Sequence, residues 1–146
     1  MGIFEKLFGG GSSQRCPDHQ MAEWLSTLII HTDMQLSLKS LWRNSEHKSV
    51  IVGYYFGFID STGQVNGWSE NSRIAMARKV FSDAFQLNSS ETEDAVNLAL
   101  ECSRTPKGRH YMMEGAQALG MFSTGQAPTP GNTRLMRLLA DAAPVF

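Results

Sequence analysis

Val50 to Ile59 (VIVGYYFGFI) is a run of ten residues without a charge, and it carries two glycines one helical turn apart, Gly53 and Gly57. A helical bilayer crossing needs about 20 apolar residues. Lys48 and Asp60 bracket a run half that long, so it belongs in a protein interior. Wound as a helix, it puts Ile51, Tyr55, Phe58 and Ile59 on one face. Gly53 and Gly57 then open a shallow groove that a neighbouring backbone can enter. Each glycine costs about 0.5–1 kcal/mol relative to alanine, so each is expected to have a packing or backbone reason. Extended as a strand, the run faces Val50, Val52, Tyr54, Phe56 and Phe58 to one side, and its β-branched and aromatic residues suit that form. Helix is the expectation and strand the alternative.

The flanking pattern favours helices. Met21, Trp24, Leu25 and Leu28 form a helical stripe, predicting a helix from about Pro17 or Asp18 to Thr32. Residues 33–41 read both ways, because Met34, Leu36 and Leu38 alternate while Leu38, Leu41 and Trp42 suit a helix. Residues 43–47 are a polar break, and DSTGQVNG at 60–67 has turn composition. Ser69 is placed to cap a helix over 70–87 carrying Ile74, Ala77, Phe81, Ala84 and Phe85. Ser90 with Glu93 reads as a capping box for the next helix. Thr105-Pro106 opens a helix over 106–122 as N-cap and first-turn proline. On that helix Gly115, Ala116, Ala118 and Gly120 are small enough for close helix contact. Residues 123–132 read as a loop, and Thr133 caps a last helix with Leu135, Leu138 and Leu139 facing inward. The predicted fold is all-α, five or six helices around a central apolar helix. The alternative is α+β, with a small hairpin from residues 34–38 and 50–59.

With 146 residues the chain fits one globular domain, expected over 14–146. Residues 1–13 form a separate segment. Ile3, Phe4, Leu7 and Phe8 share one side of two amphipathic turns, followed by the GGGSS hinge. Such a segment docks on its own domain, fills a partner's groove or touches a membrane surface weakly. Gly2 does not complete a myristoylation signal, since Lys6 stands where Ser or Thr is required. Ile3 to Phe8 is too short and too charged for a secretory signal, so a cytoplasmic location is expected.

Net charge is −1, which argues against general attraction to nucleic acid or anionic lipid. Cys16-x-x-His19 with Cys102 and His110 offers four soft ligands. The second pair matches no standard zinc spacing, and no metal or other cofactor is expected. From Asp60 a calcium loop would require glycine where Val65 stands and glutamate where Asn71 stands. No nucleophile elbow or phosphate loop appears. The one concentration of cations is RTPKGRH, with Arg104, Lys107, Arg109 and His110 at a predicted helix start, where a phosphate or carboxylate is favoured. The plainer expectation is that those charges pair with Glu91, Glu93 or Glu101 or face water. The expected function is a non-catalytic protein-interaction module that self-associates or takes a protein partner; Met112, Met113 and Met121 are expected to fill core gaps or, alternatively, to line an accommodating groove. The alternative is a small-ligand or anion-binding domain built on residues 104–110.

Overall fold

A computed structural model of the chain describes residues 19–36, 38–127 and 132–142. The apolar segment Ile3, Phe4, Leu7 and Phe8, its hinge and Cys16 lie outside the described residues. Seven helical segments follow one another within them: α1 (His19–Leu36), α2 (Leu38–Leu41, a single turn), α3 (Ser45–Asn66), α4 (Glu70–Phe85), α5 (Ser89–Cys102), α6 (Pro106–Ser123) and α7 (Asn132–Ala142). The fold is all-α. The hairpin alternative is excluded: residues 50–59 are helical throughout, and the stretch around 34–38 ends α1 and begins α2. Among the described residues no helix is long and apolar enough to cross a membrane.

α3 is the axis of the bundle and packs against every other described helix. Asn44 caps it, its side-chain oxygen accepting from the amides of Glu46 and His47 at 2.9 and 3.1 Å. Every residue from Val50 to Ile59 is buried. The turn expected at 60–67 is instead the last two turns of this helix. Asp60 holds Gln64 through a 2.8 Å side-chain hydrogen bond and Arg73 of α4 at 3.4 Å. Thr62 donates to the Phe58 carbonyl at 2.7 Å, and Asn66 donates to the Thr62 carbonyl at 2.8 Å. Polar residues that make turns elsewhere here bond back along their own helix. Only Gly67, at φ 70°, has the left-handed backbone that ends it.

Two different materials pack the faces of α3. Against α6 the contact is backbone to backbone. A Cβ on Gly57 would lie 2.8 Å from the carbonyl carbon of Met112, and one on Gly115 would lie 2.8 Å from that of Tyr54. Gly53 is tight against side chains rather than backbone, with a Cβ there 3.1 Å from that of Tyr111 and 3.2 Å from the Cys102 sulfur. Towards α4 the contact is a cluster of rings. Tyr55 meets Phe58 edge to face with centroids 5.0 Å apart, Phe85 lies 6.2 Å from Tyr55, and Trp42 lies 4.9 Å from Phe85. Full burial of each such ring contributes about 1.5–3 kcal/mol.

The remaining boundaries follow their caps. Ser69 accepts from the Ser72 amide at 3.1 Å and starts α4 as expected. The next capping box is shifted from its expected place. Asn88, not Ser90, is the N-cap: it accepts from the Glu91 amide at 2.8 Å, while the Glu91 carboxylate accepts from the Asn88 amide at 2.9 Å. Glu93 is thereby released to bind Arg78 of α4.

Candidate functional site

The candidate site lies where α5 turns into α6. Thr105 caps α6 by accepting from the Gly108 amide at 3.0 Å, and Pro106 needs no amide partner at the first helical position. Gly108 then lies on the end of α5, where a Cβ would sit 2.6 Å from the Cys102 carbonyl carbon. That close turn brings the first residues of α6 beside the first turns of α3. A cleft of about 290 Å³ results, with Glu46 and Ser49 from α3, Leu98 and Glu101 from α5, and Lys107 and Tyr111 from α6 among its walls.

Cys102 also lines this cleft. Its thiol is directed at the Ser49 carbonyl, 3.7 Å away. Burial, helped by the charge of Glu101, pushes its pKa up to about 11. At neutral pH it is a protonated thiol and a poor nucleophile. The Tyr111 hydroxyl is also pushed up from its ordinary value, first by burial; Lys107 opposes this by charge and hydrogen bonding, and Cys102 and Glu46 add to it.

The basic segment is divided by the fold. Lys107 lines the cleft, whereas Arg104, Arg109 and His110 are exposed and are not among its walls. The His110 ring is 6.4 Å from that of Tyr111. Of the acids near the basic segment in sequence, Glu93 pairs with Arg78 and Glu91 closes the cap of α5. Glu46, Ser49 and Glu101 were not singled out as site residues by sequence. They come from two other helices, and no local spacing announces their meeting with Lys107. Among the described residues no group of three or more His, Cys, Asp and Glu could hold a metal ion. His19 takes up a different role, 3.3 Å from Glu23 one turn along α1.

Two other features stand outside the cleft. Arg134 of α7 donates to Glu114 at 3.0 Å and to Gln117 at 3.1 Å, and it meets the Met121 sulfur at 3.4 Å. This pins α7 to α6 above Tyr54, whose phenol is raised by burial against the opposing charge of Arg134. On α1, Ile30 and Met34 are one turn apart and exposed, at 39% and 78%. Of the methionines read as core filler or, alternatively, as a groove lining, Met113 is exposed while Met112 and Met121 are half-buried.

No family model matches the sequence, and comparisons with curated proteins and with solved structures find no match.

Proposed function

We propose that the chain is a non-catalytic helical interaction module that pairs with a second copy of itself through the outer face of α1. The observation that supports this is the exposed pair Ile30 and Met34. Single apolar residues on a surface are ordinary. Two large ones a turn apart are the spacing by which one helix anchors in another's groove. Ile3, Phe4, Leu7 and Phe8 precede the same helix in the chain and are proposed as an additional contact. A reducing compartment such as the cytoplasm suits the free thiol of Cys102.

Light scattering over a dilution series tests this reading. The wild-type chain is expected to gain mass with concentration, and Ile30→Glu with Met34→Glu to remain a monomer. A chain lacking residues 1–13 shows what the N-terminal segment adds. A wild-type monomer at every concentration, or a double variant that associates as before, overturns the reading.

A second reading is favoured by the cleft itself. Lys107, Tyr111, Glu46 and Glu101 converge on a small concavity with an apolar wall at Leu98, the mixture by which small-ligand sites hold and orient a guest. Saturable thermal stabilisation by a small charged ligand, lost in Lys107→Met, is its test.

A further inference from the structure

We propose that the cleft between the first turns of α3 and α6 and the end of α5 takes a small zwitterion of amino-acid size, rather than the phosphate that a basic segment suggests. The proposal rests on the small-ligand reading and deepens it. The charges decide it. RTPKGRH has three basic residues besides Lys107, but Arg104, Arg109 and His110 do not line the cleft. Two carboxylates do, Glu46 from α3 and Glu101 from α5. A phosphate dianion in the cleft would share it with two carboxylate residues and one ammonium, and like charges repel. A ligand with both an ammonium and a carboxylate answers both signs.

The three charges also leave one another free. The ion pairs formed by described residues join other partners, and none links Lys107 to Glu46 or Glu101. The cation stands on one helix and the carboxylates on two others, and the three residues line one cleft without a salt bridge among them. The volume of about 290 Å³ falls just below the range of about 300–1,000 Å³ that houses drug-sized ligands, which limits the guest to a few apolar atoms. Leu98 and the Tyr111 ring supply apolar surface for them, and Ser49, whose hydroxyl donates to the Ser45 carbonyl at 3.1 Å, keeps its oxygen available as an acceptor.

The test titrates the full chain with four probes: L-leucine, isoamylamine, isocaproate and inorganic phosphate. Calorimetry gives affinity, and amide chemical shifts give location. L-leucine is expected to bind saturably, shifting the amides of Ser49, Leu98, Gly108 and Tyr111. The amine and the acid, each lacking one end of leucine, should bind about tenfold weaker or worse. Lys107→Met and Glu101→Gln should each weaken leucine about tenfold with unchanged melting temperature, since both side chains are exposed. If phosphate or isocaproate binds as tightly as leucine and depends on Lys107, the cleft is a ligand site but the zwitterion is wrong. Isoamylamine binding as tightly as leucine overturns it in favour of a plain amine. Leucine binding that neither variant weakens places the ligand elsewhere and overturns it. If none of the four binds, the zwitterion and the small-ligand reading fall together.

Discussion

The two faces of α3 are built on opposite principles. Towards α6, Gly57 and Gly115 have no room for even a methyl group, because the obstacle is the backbone of the partner helix. Towards α4, Tyr55, Phe58, Phe81 and Phe85 fill the space with rings whose separations run from 5.0 to 6.4 Å. Side chains relax by changing rotamer, but a carbonyl in the middle of a helix does not move without its neighbours. The glycine face should therefore answer a small addition sharply, and the aromatic face should answer a small loss in proportion to the volume removed.

The largest effect is expected from Gly57→Ala. The added carbon collides with the Met112 carbonyl, and the cost should be about 3 kcal/mol, read as a lowered urea midpoint. A cost near zero would show that α3 and α6 can separate freely. Next comes charge forced into the glycine side. Burial holds the Cys102 pKa at about 11 against an ordinary 9.0. The folded chain thus keeps the thiol proton more tightly than the unfolded chain does. Stability from this group is full below pH 9 and is lost as pH rises towards 11, by about 2 kcal/mol. Wild type should lose stability over that interval more steeply than Cys102→Ala; parallel curves would contradict the burial of the thiol.

On the aromatic face, Phe85→Leu keeps an apolar residue but loses ring contacts with Trp42 and Tyr55. It should cost about 1–2 kcal/mol. The smallest effect belongs to Tyr55→Phe. The hydroxyl is buried beside Thr32 without a proper hydrogen bond, and Thr32 instead donates to the Leu28 carbonyl at 3.1 Å. Removing it should change stability by less than about 1 kcal/mol, in either direction. A large loss would reveal a partner for that hydroxyl.

The glycine face was legible in the sequence because its signal is local. Gly53 and Gly57 stand a turn apart, and Gly115 lies among small residues on a helix that Thr105 and Pro106 announce. The end of α3 was misread because Ser61, Thr62, Gly63 and Asn66 have turn composition. What overrides it is tertiary as well as local: Arg73 reaches Asp60, and its side chain with Trp68 packs on Gly63. Asn88 and Ser90 are both good N-caps, and the choice fell to the position whose third successor, Glu91, bonds back to the cap. The cleft was half legible. Lys107 stood in a visible basic segment, but Glu46 and Glu101 become its neighbours only through the crossing of α3 and α6 and the turn at Gly108. The exposure of Ile30 and Met34 depends equally on where α1 lies against α4.

The direct test of the glycine crossing uses one helix and two substitutions. Gly115 and Gly120 both lie within α6; a Cβ on the first strikes the Tyr54 backbone, whereas a Cβ on the second meets nothing within 4 Å. Urea unfolding of Gly115→Ala and Gly120→Ala should move the midpoint in opposite directions, down for Gly115 by about 3 kcal/mol and up for Gly120 by about 0.5–1 kcal/mol. Equal stabilisation by both alanines would contradict the backbone contact between α3 and α6.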